Sequence, residues 1–149
     1  FAMARGLQGD GVDVVAMEMT KWFDTNYHYI VPEFDADQSF KLSTAKAVEQ
    51  YKEAKEKGFD TRPVIIGPVT FLSLGKIRDS EASPVALWNK LVPVYVELLK
   101  QLAEAGATWV QIDEPCLALD LSDAQKEAYR EAYSTIANAK TGMKLMLWV

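Results

Sequence analysis

Lys21 is the residue in this sequence best placed to do chemistry, because it stands among Trp22, Phe23, Tyr27 and Tyr29, with His28, the sole histidine, seven positions on. A compact ammonium on a flexible stem suits the carboxylates of a ligand, and aromatic neighbours lower the local dielectric and offer flat surfaces for stacking. A solvated surface lysine is the plain alternative, and spacing alone favours it. From Met17 to Phe34 the polar and apolar residues follow neither a period of two nor one of 3.6, so the stretch reads as a binding loop rather than a core strand. His28 would need an orienting partner to serve as a general base, and the sequence offers none, which points to a hydrogen-bonded wall residue. Asp24 and Asn26 suit an Asx turn that shapes the loop.

A second cluster is Asp113, Glu114, Pro115 and Cys116. Adjacent strand residues face opposite sides, so one of the two acids at most faces a pocket unless Pro115 has already turned the chain. Lining a substrate surface and satisfying backbone donors are even alternatives for this pair, and catalysis carries little weight. Cys116 has no second cysteine and no nearby histidine with which to form a zinc site or a nucleophilic pair, so a half-buried thiol is expected.

The elements that would position these residues alternate. Residues 13–17 form a short apolar run expected to be a buried strand that feeds the Lys21 loop. Ser43 to Lys57 carries Ala47, Val48, Tyr51 and Ala54 at helical spacing, with Gly58 to end it. Residues 62–66 are a β-branched strand closed by Gly67-Pro68. Ser83 caps a helix with Pro84 at its first position, with Leu87, Leu91, Val94, Leu98 and Leu102 on its buried face, a kink expected at Pro93 and an end at Gly106. A strand over 108–112 delivers Asp113. Ser122 and Gln125 form a capping box for a helix to about Ala139, and 143–149 is a fourth strand. Three βα units followed by a strand suit a parallel sheet, equally as half of a (β/α)8 barrel or as a small doubly wound sheet.

The 149 residues are 49% hydrophobic, with a net charge of −5. With a pI near 4.9, this disfavours nucleic acid and anionic membrane as partners. No run is long enough to cross a bilayer and no signal segment opens the chain, which leads to the expectation of a cytoplasmic protein. One cysteine excludes an internal disulfide. Neither expected outer strand carries guarding charges, and the sequence opens on Phe-Ala-Met-Ala-Arg, so the chain is expected to be a fragment.

Three blocks in order, Met19-Thr20-Lys21-Trp22-Phe23, Ile66-Gly67-Pro68-Val69-Thr70-Phe71-Leu72 and Gln111-Ile112-Asp113-Glu114-Pro115, closely resemble the amino-terminal half of the cobalamin-independent methionine synthases. The resemblance decides for the barrel: an α/β chain forming about half of the amino-terminal (β/α)8 TIM barrel, with residues 1–149 part of that domain and the catalytic zinc barrel elsewhere. It implies a methyltransferase that moves a methyl group from 5-methyltetrahydropteroyltri-L-glutamate to homocysteine, without cobalamin and with zinc held outside this segment. Homocysteine would be met through the carboxyl-terminal barrel, the intramolecular partner of this one. Lys21 matches the family lysine that contacts the polyglutamate tail, with Trp22, Asn26, Asp113 and Glu114 as accompanying substrate-binding candidates and no catalytic or metal residue in this segment. Alone, the chain is expected to be inactive. The family's Thr-Thr pair is not found at the final strand, where the chain reads Leu147-Trp148-Val149. A noncatalytic barrel module that only holds a partner domain is the rival of another class. A decarboxylase or corrinoid methyltransferase on a similar barrel is a second rival, but gives the Lys21 block no reason to match.

Overall fold

A computed structural model describes residues 2–9 and 11–149. In chain order the elements are helix α1 (Ala2–Arg5), strands β1 (Leu7–Gly9), β2 (Val12–Val14), β3 (Met19–Lys21), β4 (His28–Ile30) and β5 (Glu33–Phe34), helix α2 (Lys46–Glu56), β6 (Val64–Ile66), α3 (Pro68–Ser73), β7 (Lys76–Ile77), α4 (Trp88–Glu104), β8 (Trp109–Asp113), α5 (Asp123–Asn138) and β9 (Lys144–Trp148). Short 3-10 turns at Pro84–Leu87 and Pro115–Ala118 lead into α4 and out of β8.

The largest sheet is parallel, in the order β6-β8-β9, and the other strands form three two-stranded sheets, β1-β2, β3-β4 and β5-β7; among the described residues none of the four is closed. Helices α4 and α5 connect the three parallel strands in turn and pack against each other and against α3. Val110 and Ile112 turn inward, almost wholly buried, while their alternates Trp109, Gln111 and Asp113 face the other side. That second face stays open: Val64 is 54% exposed, and Trp148, paired with Asp113, is 57% exposed.

The caps form as their chemistry dictates. Ser83 accepts from the Val85 N–H at 3.3 Å, although the first turn it caps is 3-10 rather than α. Ser122 and Gln125 complete a reciprocal capping box on α5. Helix α4 is continuous through Pro93 and is buried at Leu91, Val92, Leu99 and Leu102, with Val94 and Leu98 at the margin. Tyr51 of α2 donates to the Gly106 carbonyl at 2.8 Å, tying α2 to the end of α4.

One expected element is different. Residues 13–17 do not form a buried parallel strand: β2 ends at Val14, pairs antiparallel with β1 and is exposed at every position, and Val15 is 81% exposed. A hairpin partner a few residues away closes a short loop at small entropic cost, whereas joining the central sheet would close a long one. Gly6 sits at φ +73, where an added Cβ would meet the Val14 carbonyl oxygen at 2.8 Å, so the close return of the chain depends on that glycine. The parallel sheet therefore has three strands, not four.

Candidate functional site

The stretch that reads as a loop is a hairpin. Strands β3 and β4 pair Met19 with Ile30, Thr20 with Tyr29 and Lys21 with His28. The Trp22 N–H closes its far end on the Tyr27 carbonyl at 2.6 Å. Side chains alternate across such a ribbon, so Lys21 and His28 share one face while Thr20, Trp22 and Tyr29 share the other. Rings fill the second face: Trp22 meets Tyr29 edge-on at 5.7 Å and Phe23 at 5.1 Å. Phe23 holds φ at +49, a left-handed conformation that costs a bulky residue of order 1–3 kcal/mol and is typical of turns shaped for function. Lys21 is exposed, and no ion pair engages its ammonium among the described residues.

Thr25, rather than Asp24 or Asn26, shapes the turn. Its hydroxyl donates to the Trp22 carbonyl at 2.6 Å and accepts from the Tyr27 N–H at 3.1 Å. Asn26 is exposed and contributes its carbonyl, which lies 3.0 Å from His28 Nδ1. A carbonyl only accepts, so this bond is made by the tautomer that carries its proton on Nδ1. His28 is thus hydrogen-bonded within its own turn and exposed.

Asp113 and Glu114, adjacent in sequence, have opposite environments. Asp113 lies on the open face of the sheet in a polar row: Arg62 donates to Gln111 Oε1 at 2.8 Å, which leaves Gln111 Nε2 to donate to Asp113 Oδ1 at 2.7 Å. Glu114 is completely buried. Its oxygens accept from the Val69 N–H at 3.3 Å, the Thr70 N–H at 2.7 Å, the Tyr129 hydroxyl at 3.0 Å and the Tyr133 hydroxyl at 2.8 Å. Glu114 thereby acts as the cap of α3, since Gly67 at the N-cap position has no side chain with which to do so. Burial first, and then the nearby Glu114 charge, push the Tyr133 and Tyr95 phenols well above their ordinary range, and Tyr129 moves the same way despite its Thr70 contact. All three remain donors.

Cys116 is buried, and its N–H donates to Thr70 Oγ1 at 3.3 Å. Burial raises the thiol's pKa; hydrogen bonding to Thr70 partly opposes this, and the Glu114 charge adds to it. The folded protein should therefore react slowly with iodoacetamide near neutral pH and at the full rate of a free thiol once denatured, measured by mass shift with time. Fast labelling of the native protein would show that the thiol is open to solvent.

The hairpin and the β8 end belong to one neighbourhood. Tyr29 donates to the Leu74 carbonyl at 3.2 Å, just after α3, and its phenol is pushed up by burial, then by Cys116 and Glu18. No hydrogen bond or ion pair joins Lys21, Trp22 or Asn26 to Asp113 or Glu114 among the described residues. A recess of about 190 Å³ lined by Asp60, Arg62, Trp109 and Met146 lies at the opposite, amino ends of β6 and β8. Among the described residues no three His, Cys, Asp or Glu side chains converge as metal ligands, and no helix is long and apolar enough to cross a membrane.

Parallel strands joined by helices, with Asp113 at the carboxyl end of β8, define an α/β domain. A family model described as the N-terminal domain of cobalamin-independent synthase matches residues 1–149. The chain belongs to that family. It is 58% identical to a protein of Chelativorans sp. (strain BNC1) over 99% of this chain and 20% of that protein, and 52% identical to one of Nitrobacter winogradskyi over 99% and 21%. A Salinibacter ruber protein is 56% identical over 93% of this chain and 19% of its own length. All three are named 5-methyltetrahydropteroyltriglutamate–homocysteine methyltransferase. The chain spans about a fifth of the length of these relatives.

Proposed function

We propose that the chain is part of a methyltransferase that moves a methyl group from 5-methyltetrahydropteroyltriglutamate to homocysteine, and that its own contribution is to hold the folate's glutamate tail at Lys21 and to pack against the catalytic domain. The observation that carries this reading is the placement of Lys21: on the exposed face of a ring-backed hairpin, with no ion-pair partner among the described residues to neutralise it. An ammonium so presented accepts a carboxylate without first giving up another. Trp22 and Asn26 flank the same turn, and Asp113 offers an oriented acceptor at the carboxyl end of β8.

In the transfer, the carbon–nitrogen bond to the tertiary amine breaks, a carbon–sulfur bond forms to the homocysteine thiolate, and the released nitrogen takes up a proton. The resemblance implies a zinc ion, which, wherever it is bound, would favour the deprotonated form of that sulfur. Among the described residues no donor set converges that would fit such a site, and in this reading the metal and the catalytic step are supplied from outside the segment.

The same reading makes the sheet part of a (β/α)8 barrel. Strands β6, β8 and β9 advance in one direction, and their connecting helices pack together on one face while the other stays open. A doubly wound sheet would have helices over both faces. The bare β9 edge, with Leu147 46% exposed, suits pairing with a further strand.

Lys21→Ala in the full-length enzyme should raise KM for the triglutamate substrate about tenfold, the loss of roughly 1.5 kcal/mol from one charge-assisted contact, and raise it much less for the monoglutamate. Steady-state kinetics with both substrates checks this, and equal effects on the two would sink the tail-binding role. Methyl transfer by the 149-residue chain alone with added zinc would overturn the division of labour. The alternative of a noncatalytic module would show as partner binding with no dependence on folate.

A further inference from the structure

Among the described residues strands β3 and β4 pair only with each other, and an isolated two-stranded ribbon is marginally stable in water. Something outside the ribbon must set the direction in which Lys21 is presented. Besides the Met17 N–H, which donates to the Met3 carbonyl at 2.8 Å ahead of β3, the contacts that do so converge on three residues that follow α3. The Leu74 carbonyl accepts the Tyr29 hydroxyl. The Lys76 N–H donates to the Pro32 carbonyl at 2.9 Å. The Lys76 ammonium reaches Glu18 at 3.0 Å and Glu33 at 3.3 Å, at the base of both legs. Between them Gly75 passes so close to Phe34 and the Pro32 carbonyl that a Cβ has no room.

These tethers differ in what they can fix. The Lys76 pairs are exposed, screened by salt and at the base of the ribbon, so they hold its direction only weakly. Tyr29 lies farther along. It is half-buried, it pairs directly with Thr20, and its ring carries that of Trp22, so the residues on both sides of Lys21 rest on it. Alternation then turns Lys21 away from the body of the domain.

We propose that Tyr29 is a positioning residue for Lys21: its hydroxyl bond to the Leu74 carbonyl sets the direction of the hairpin and so the preference of the enzyme for a substrate with a glutamate tail. This rests on the reading of Lys21 as the tail-binding cation. Tyr29 touches no substrate; it acts only through Lys21.

The test is a double-mutant cycle in the full-length enzyme, with KM and kcat measured on triglutamate and monoglutamate substrates for wild type, Tyr29→Phe, Lys21→Ala and the pair. Tyr29→Phe keeps the ring and the apolar contacts and removes a single neutral hydrogen bond. It should raise the triglutamate KM about fivefold, with a smaller effect on the monoglutamate, and add nothing once Lys21 is alanine. If Lys21→Ala shows no dependence on tail length, the tail reading itself fails and the inference with it. If Lys21→Ala does show it but Tyr29→Phe affects both substrates alike or neither, the inference alone is overturned. A Tyr29→Phe effect that persists at full size in the Lys21→Ala background also overturns it, because Tyr29 then acts by another route.

Discussion

Glu114→Leu should leave the protein without a cooperative unfolding transition. The substitution removes the acceptor from four donors at once, two main-chain N–H groups at the start of α3 and two tyrosine hydroxyls on α5, three of them buried and the Tyr133 hydroxyl partly so. Each buried donor stranded in this way costs about 1–3 kcal/mol, and four together rival the roughly 5–15 kcal/mol by which a domain is stable at all. The loss is also topological, because this carboxylate joins the end of β8 to α3 and α5. Glu114→Gln is the milder form. It keeps the shape and one carbonyl oxygen, but its amide hydrogens meet groups that donate, and about 2–4 kcal/mol should be lost. Urea unfolding would show this as a lower midpoint at an unchanged slope. A midpoint equal to that of the wild type would mean that the four bonds contribute nothing net.

The phenols add a pH signature. Tyr129 and Tyr133 have folded-state pKa values raised above the ordinary 10.0, mainly by burial. Below about pH 10 both states keep the proton and the full stability is present; above it the unfolded chain releases protons that the folded chain retains, so stability falls as pH rises. Tyr133→Phe should flatten that alkaline decline.

Gly67→Ala should also be damaging, about as much as Glu114→Gln, for a reason of space rather than conformation. Gly67 has φ −75 and ψ 151, extended values that alanine adopts freely, and where such a swap fits it stabilises by limiting the unfolded chain. Here an added Cβ would overlap Cγ, Cδ and Oε1 of Glu114. The carboxylate must move off its donors or the backbone must shift, and about 2–3 kcal/mol should be lost by overpacking. The cause is checked by coupling: in a Glu114→Asp background the shorter acid leaves room for the added methyl while keeping a carboxylate among the donors, so Gly67→Ala should cost much less there than in the wild type. Equal cost in both backgrounds would show that the clash is not the mechanism.

Helices α2, α4 and α5 and strands β6, β8 and β9 were legible in the sequence within a few residues, because each carries its own period and its own stop or cap: Ser83 before Pro84, Ser122 with Gln125, Gly58 and Gly106 past the helix ends. Residues 13–17 were not. An apolar run of that length has the same composition whether it enters a sheet or folds back on a neighbour, and the choice depends on which partner strand is within reach. The turn of the Lys21 hairpin was misassigned for a similar reason, since Asp24, Thr25 and Asn26 can all bond to nearby main chain, and only the actual path of the backbone shows that Thr25 does.

By itself the sequence determined that an alternating α/β chain would place Lys21 in an aromatic, irregular stretch and two acids at a strand's end, since residue type and local spacing are enough for that. The tertiary structure alone decided what those residues face. Glu114 and Asp113 are neighbours in the chain, yet one is locked to α3 and α5 and the other lies on the open sheet, because the donors that claim Glu114 come from 15 to 45 residues away. Tyr29, on the strand paired with that of Lys21, bonds to the Leu74 carbonyl, a contact across 45 residues that no local pattern records. Local signals carry periodicity and capping; the partner of a side chain is set by packing, which brings together residues whose separation in sequence holds no sign that they meet.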